Sequence, residues 1–169
     1  MMSQFRDLIA FFEDSSIADA IRENDLLFPS IESIHVVAIC LVVGSILVLD
    51  MRLLGFASTN RPVGRLTRAI LPLTWSAFVV AASSGFLLFI SHATKYLANG
   101  YFVTKMFLIC AAGLNMIVFH FVTAKDLPKW EQQNVPPSRA RLAGALSVLF
   151  WIGVVACGRW IGFTMDELQ

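Results

Sequence analysis

The stretch IESIHVVAICLVVGSILVL, from Ile31 to Leu49, decides the fold of this chain. Glu32 is the one residue in it with a formal charge at neutral pH. A helix rises about 1.5 Å per residue, so about 20 such residues cross the roughly 30 Å of hydrocarbon in a bilayer. The stretch does not alternate apolar and polar residues, as a strand of a membrane barrel would. It therefore predicts a transmembrane helix.

Three more apolar blocks of similar length follow, at residues 69–90, 102–123 and 142–163. The chain is 57% hydrophobic and 15% charged, whereas globular domains average about 45–50% and about 25%. We therefore expect an all-α integral membrane four-helix bundle over residues 30–169, in contact with the lipid bilayer, and exclude a soluble enzyme. A net charge of +1 excludes a nucleic-acid-binding protein.

Residues 1–29 have a different pattern, with Phe5, Leu8, Ile9 and Phe12 on one face of a helix. A second short helix is predicted from the Ser16 region onward. No basic region precedes a continuous apolar run here, so the segment is not read as a signal peptide. We expect an amphipathic helical segment lying at the membrane interface on the extracytoplasmic side, with a frayed tail as the alternative.

The distribution of basic residues predicts the orientation of the bundle. Short loops rich in Lys and Arg face the cytoplasm, and eight basic residues flank the loops after the first and third spans: Arg52, Arg61, Arg65, Arg68, Lys125, Lys129, Arg139 and Arg141. The opposite side has fewer basic residues and most of the acidic ones, including Asp166 and Glu167. We expect a multi-pass protein of the bacterial inner membrane with both termini extracytoplasmic.

Two histidines are predicted at similar depth near the outer ends of the first two spans. His35 lies about one turn inside the first span and His92 ends the second. Ionisable groups at membrane depth are costly and point to function. Both imidazoles are candidate axial ligands of one non-covalent haem b, and Gly85 leaves room for a flat macrocycle. Lys105 and Arg159, about one turn inside the third and fourth spans, are candidate partners of its propionates.

Other interpretations of these residues stay open. His35 and His92 are also candidate copper ligands, with Cys40 or Met106 as additional donors. In a third interpretation the chain is a cofactor-free accessory or scaffold subunit whose acidic N-terminal segment docks a partner. No nucleophile with an adjacent base is visible, so an independent enzyme is not favoured.

His120 is predicted near the cytoplasmic end of the third span, at the depth of Asp50. A His120–Asp50 contact would satisfy both groups, either as a structural pair or as a proton or quinone-headgroup relay. Asn115, near the middle of the third span, is expected to hydrogen-bond a neighbouring helix.

Several strings resemble a family of small bacterial inner-membrane proteins of unknown function: His35 with Gly44, DMRLLG at 50–55, Lys105–Met106 leading to Asn115 and Phe119–His120, and Ser147 with Trp151 leading to GRWIG at 158–162. The resemblance covers nearly all of the chain after residue 29 and implies four spans. More distantly, the layout is similar to four-helix membrane cytochromes b and to the copper-resistance D membrane domain, which implies electron transfer or copper handling. Three histidines cannot ligate two bis-histidine haems, so the sequence departs from the dihaem pattern.

The first functional hypothesis is therefore a membrane b-type cytochrome-like electron-transfer subunit with one outer-side haem. It would pass electrons between an extracytoplasmic redox partner and quinone or another subunit of a membrane complex.

Overall fold

The computed structural model describes residues 2–57, 60–123, 125, 130 and 136–165, except for the side chains of residues 2, 3, 5, 6 and 8. These residues form helices and no strand, which confirms the all-α class. In chain order the helices are α1 (Met2–Glu13), α2 (Ser16–Glu23), α3 (Leu27–Leu54), α4 (Val63–Ser91), α5 (Ala93–Ala98), α6 (Gly100–Val118) and α7 (Ser138–Thr164). A π-helical turn, Phe119–Thr123, continues α6.

Four of these helical segments are long and apolar enough to cross a membrane: Leu27–Leu54, Val63–Ser91, Gly100–Thr123 and Ser138–Thr164. Each one contains a span predicted from the sequence, which confirms the four-helix membrane class. Large apolar side chains cover their outward faces, and Val79, Phe107, Leu149 and Ile152 are each more than half exposed. Such faces suit contact with lipid.

Local sequence explains where the helices end. Gly55 ends α3 in the left-handed conformation, with φ of 82°, and its N–H donates to the Arg52 carbonyl. Asn99 begins α6, because its Oδ1 accepts from the backbone N–H groups of Tyr101 and Phe102.

Pro72 lies inside α4 and not in its first turn. The helix begins at Val63, after Pro62, so Pro72 is an interior residue. Arg65 and Arg68, predicted in the preceding loop, consequently lie on the first turns of α4. The apolar block at residues 69–90 predicts only the hydrophobic part of α4, and the helix itself begins six residues earlier, at Val63.

The packing of the four long helices is uneven. α3 packs against both α4 and α7, and α6 packs against α7. α4 and α6, although close in the chain, do not form an extended packing contact in the described structure. At the end of the bundle that carries α5, which we call the α5 end, the Phe89 and Phe102 rings stack with centroids 5.6 Å apart. Apart from this stacking, α4 and α6 pack against each other less closely than the other neighbouring helix pairs of the described structure.

The opposite end, which we call the loop end, contains residues 55–57 and 60–62 and, between α6 and α7, the described residues 125, 130, 136 and 137. A small apolar cluster closes it: Leu53, Val63, Trp130 and Ala140, with Phe119 against them. Trp130 is thus buried at the loop end. The described Arg and Lys residues that were predicted on one side lie at this end, and Lys129 is outside the described residues.

The N-terminal segment docks on the α5 end as two helices, α1 and α2. The Phe12 ring meets the Phe86 ring of α4 edge to face at 5.9 Å. α2 begins after Ser15, whose side chain accepts from the Ala18 N–H, and it buries Ala18 and Ile21 while Ile17 is exposed. Two of the four residues in the predicted amphipathic face, Phe5 and Leu8, lie outside the described side chains.

Candidate functional site

His35 is half-buried between α3 and α4, about one third of the way along α3. Its Nδ1 lies 3.0 Å from Ser84 Oγ on α4, and the Ala81 carbonyl is a second hydrogen-bond partner of the ring. The contact joins two antiparallel helices and fixes the orientation of the imidazole inside the bundle.

The donor and acceptor roles in the contact between His35 and Ser84 depend on the tautomer of the imidazole. Ser84 Oγ donates within its own helix, at 2.7 Å to the Val80 carbonyl with the Ala81 carbonyl at 3.2 Å. While the Ser84 hydroxyl proton is donated to one of these carbonyls, Ser84 Oγ accepts from His35 Nδ1–H. In the neutral imidazole Nε2 then carries a lone pair, which can accept a proton or bind a metal.

Gly85 gives space to His35 itself and not to a separate macrocycle. A Cβ at Gly85 would lie 2.8 Å from His35 Cε1 and 3.3 Å from Nδ1. Real Cβ atoms essentially never approach this closely, so the glycine is what allows the ring to reach Ser84. The sequence analysis predicted that Gly85 belongs to the site, but it expected a haem macrocycle, and not the His35 ring, in the space beside the glycine.

Lys105 on α6 brings a cation to the same level. Its charge acts on His35, and the thiol of Cys157 on α7 acts on Lys105. A Cβ at Gly158 would lie 3.7 Å from Lys105 Nζ, which places the ammonium against α7. We call the set His35, Ser84, Gly85, Lys105 and Cys157 the His35 site, because all four long helices contribute to it.

The His35 site holds basic groups without an acidic partner in the described part of the chain. Lys105 is the charged side chain that interacts with His35, and the Ala81 carbonyl is a hydrogen-bond partner of the same ring. Lys105 in turn interacts with Cys157. Glu32, about one turn before His35, is exposed and interacts with Tyr96 of α5, where burial and this carboxylate raise the tyrosine pKa. A buried cation without a counter-charge is costly, so the site suits a ligand with anionic or carbonyl oxygens.

His92 lies at the end of α4 and not at the level of His35. Its Nδ1 is 3.1 Å from Ser91 Oγ, and its ring meets the Phe28 ring of α3 edge to face at 6.0 Å. Burial and the positive charges of Lys95 and Arg22 lower the pKa of His92, against a raising effect of Glu13.

The two predicted haem ligands are therefore two helical turns apart. His35 contacts Ser84 and Gly85, whereas His92 is seven residues after Gly85 and contacts Phe28, seven residues before His35. Seven residues span about 10 Å along a helix. Because a metal–imidazole bond is about 2 Å, ligands on opposite sides of one ion are about 4 Å apart. The sequence placed the histidines at similar depth by helix position, but the register between α3 and α4 offsets them.

Arg159 and Lys105, the predicted propionate partners, point in different directions. The Arg159 side chain is exposed, and its guanidinium carbon lies 4.4 Å from the centroid of the Phe163 ring. Lys105 lies against the neighbouring Gly158 inside the bundle. Successive residues on a helix differ by about 100° in direction, which explains why Gly158 and not Arg159 faces the site.

Asp50 and His120, the predicted pair, are not brought together. The Asp50 side chain is 5% exposed, and Ser147 on α7 is its side-chain hydrogen-bond partner. His120 is exposed in the π-helical turn, with its ring edge to face with Phe121. The π-helical turn changes the direction of side chains after Phe119, which a regular helix projected from the sequence cannot anticipate. Asn115, in contrast, does bond a neighbouring helix: its Nδ2 donates to the Ala143 carbonyl at 2.9 Å.

Sequence reasoning missed the polar contacts that hold the N-terminal segment. Arg22 Nη1 donates to the Ser91 carbonyl at 2.9 Å and also pairs with Asp19. Glu13 accepts from both the backbone N–H and the hydroxyl of Thr94 in the first turn of α5. One feature of the sequence could have indicated the histidine contacts. Ser84 and Ser91 are seven residues apart on α4, and each hydrogen-bonds one of the two histidines.

The described residues contain no group of three or more His, Cys, Asp or Glu side chains placed to hold a metal ion. No curated protein and no solved structure matches the chain. The similarity to membrane cytochromes b and to the copper-resistance D domain therefore stays a prediction. The family model of DUF6644, a family of unknown function, matches residues 26–164, and the chain belongs to this family.

Proposed function

We propose that the chain is a quinone-binding electron-transfer subunit of a membrane complex, with the quinone headgroup held at the His35 site. The observation that carries this proposal is the half-buried pair of His35 and Lys105, on which no carboxylate of the described residues acts. A quinone headgroup is neutral and flat and has two oxygens that interact with basic groups. Its oxygens would supply polar partners for His35 Nε2 and Lys105 Nζ.

The chemistry of His35 favours the reduced form, quinol, as the species that binds. With Nδ1–H bonded to Ser84, the neutral ring presents the Nε2 lone pair, which accepts a hydrogen bond from a quinol hydroxyl. His35 would then act as the base that takes this proton as the quinol is oxidised. The Lys105 ammonium would donate to a headgroup oxygen and stabilise the negative charge that forms there.

The weakly packed side of the bundle between α4 and α6 is the proposed lateral route for a lipid-soluble ligand. These two helices lack an extended packing contact in the described structure, while Phe89, Tyr96 and Phe102 form an aromatic cover at the α5 end. A headgroup would enter from the bilayer below this cover, and its apolar tail would stay in the lipid.

The positive-inside rule gives the proposed orientation. The described basic loop residues lie at the loop end, which we assign to the cytoplasm of a bacterial inner membrane, and the His35 site lies in the extracytoplasmic half. Electrons from a quinol would pass to an extracytoplasmic redox partner, and the docked α1 and α2 helices are the exposed surface that such a partner would meet. The lost protons would leave on the same side.

A haem b at the same site is the second candidate, and a different observation favours it. A metal-ligating imidazole usually donates its other N–H to a fixed acceptor, as His35 Nδ1 does to Ser84. Lys105 would pair with a propionate. His92 lies about 10 Å further along the helix axes, so this version assigns His35 alone as an axial ligand. Copper handling by His35 and His92 has the least support because the pair is offset in the same way.

Quinol binding is tested with the purified full chain in lipid nanodiscs, with a short-tailed quinol as the probe. We expect saturable binding that weakens about 10- to 100-fold in His35→Gln and in Lys105→Met, since a hydrogen bond to a charged group contributes about 1.5–3 kcal/mol. His120→Gln and Arg159→Gln are the matched controls, because both side chains are exposed away from the site. Equal binding in all variants would overturn the proposal.

An absorption spectrum of the same samples separates the two candidates. A Soret band after haem-replete expression that is lost in His35→Gln and kept in His120→Gln would show that the site binds haem b and not quinol. Absence of both the band and quinol binding would leave the cofactor-free accessory subunit as the remaining interpretation, tested by complex assembly after deletion of residues 1–25.

A further inference from the structure

Asp50 places a buried carboxyl at the loop end of the bundle, far from the His35 site. It lies in the penultimate turn of α3, and its side chain is 5% exposed. Its Oδ2 is buried and has no hydrogen-bond partner. A buried carboxylate oxygen without a donor is unusual, because native proteins pair nearly all such atoms.

The surroundings of Asp50 supply one hydroxyl and otherwise little polarity. α7 faces it with Ser147, its hydrogen-bond partner, and with Gly144, where a Cβ would be 3.2 Å from the Asp50 carbonyl oxygen. α4 contributes the buried Val63 and Leu66 at this end.

Charged groups near Asp50 in the chain are directed elsewhere. Arg52 is two residues further on, a position on the opposite side of the helix, and its Nε donates to the Arg61 carbonyl at 2.9 Å. His120 is exposed. Within the described part of the chain, burial and Ser147 are the influences that act on the carboxyl.

We propose that Asp50 is a proton-binding site that loads and unloads from the loop end of the bundle. A proton on Oδ2 removes the charge that the apolar surroundings disfavour. A metal ion fits poorly, because hard cations take about six or more oxygens and the site offers the carboxyl and one hydroxyl. In each round of protonation and deprotonation, the carboxylate takes one proton from water at the loop end to form the acid, and the acid returns that proton to water.

The position of Asp50 restricts this exchange to one side. Gly55, where α3 ends, is five residues away, or about 7 Å along the helix. In the other direction the nearest polar contact is Thr74 Oγ1 to Ser45 Oγ, at 2.8 Å. From Ser45 to His35 another ten residues, about 15 Å, are lined by Ala38 and Val42. No chain of polar side chains connects the two sites in the described residues, so the proton of Asp50 belongs to the loop-end side.

Infrared difference spectroscopy on the full chain in nanodiscs tests this site without reference to quinone or haem. On stepping the pH between about 5 and about 9, a range that brackets buried carboxyl titration, we expect a carboxylic-acid band that appears and disappears reversibly. Asp50→Asn removes the band, and Asp50→Glu keeps a titrating band. Ser147→Ala shifts its frequency through loss of the hydrogen bond, whereas Ser76→Ala, an exposed serine on α4, leaves it unchanged.

Three outcomes would overturn the proposal. A missing Asp50-dependent band at the acid end means that the carboxylate stays charged. A band that persists unchanged at the alkaline end means a permanently neutral structural group. A band that responds to sodium at constant pH identifies a cation site. Failure of quinol binding leaves this result unaffected, because no residue is shared between the two sites.

Discussion

His35 on α3 and Ser84 on α4 are joined by a hydrogen bond of 3.0 Å between Nδ1 and Oγ. When the serine proton is donated within α4, the same bond also selects the imidazole tautomer that carries its proton on Nδ1. The next glycine, Gly85, supplies the space for the ring. Two adjacent small residues of α4 thus specify both the chemistry and the placement of the histidine.

Gly85→Ala is expected to destabilise the protein by about 1–3 kcal/mol, as overpacking a filled site does. The new methyl group would be 2.8 Å from His35 Cε1, so the ring must leave Ser84 or the helices must separate. Thermal unfolding in detergent measures the loss. Gly44→Ala on α3 is the control, since nothing lies within 4 Å of its Cβ position, and it should be neutral or slightly stabilising. Equal effects of the two variants would show that the ring adapts freely.

Gly144→Ala is expected to weaken the packing of α7 on α3. The added Cβ would lie 3.1 Å from Leu53 Cβ and 3.2 Å from the Asp50 carbonyl oxygen, and a backbone atom cannot move aside as a flexible side chain can. We expect a loss of about 1–3 kcal/mol in thermal unfolding. Gly113→Ala, in open space on α6, should not lower stability, and a comparable loss in that variant would refute the assignment to helix contact.

Arg52 is 1% exposed, and its Nε holds the Arg61 carbonyl in the turn between α3 and α4. Arg52→Lys keeps the charge but loses the planar fork. We expect a loss of about 1.5–3 kcal/mol, the range for hydrogen bonds to charged groups, measured by thermal unfolding. Arg61→Lys changes an exposed side chain and retains the carbonyl, so it should be neutral. A neutral Arg52→Lys would mean that the turn does not depend on this bond.

The four spans and their class could be predicted from the sequence because hydrophobic length depends on composition alone. Some residues of the His35 site were also predictable from composition. His35 and Lys105 are ionisable residues in apolar helices, and Gly85 lacks a side chain where its helix is crowded. Their mutual arrangement was not predictable. The register of α3 on α4, which offsets His92 from His35, depends on packing between helices that a single sequence does not reveal.

The sequence also did not predict which residues of a helix face the interior of the bundle and which face outward. Arg159 and Lys105 are both about one turn inside their spans, yet Gly158 faces the interior and Arg159 the exterior. His120 is turned outward by a π-helical turn, whose occurrence no periodic pattern predicted. Asn115 was predictable, because an amide at membrane depth requires a partner wherever its helix faces.

The docking of α1 and α2 is expected to weaken at acidic pH. His92 lies against this segment, and burial, Lys95 and Arg22 lower its pKa below the ordinary value of 6.5, with Glu13 acting in the other direction. The docked state therefore favours the neutral ring, and its stabilisation is full above about pH 6.5 and falls as the pH drops from there to the lowered pKa. Hydrogen exchange of residues 9–23 should be slow at about pH 7.5 and, after correction for intrinsic rates, faster at about pH 5.5. His92→Gln should remove this difference, whereas His120→Gln, with its exposed ring, should keep it. Unchanged protection across this range in the unmodified chain would contradict the role of His92.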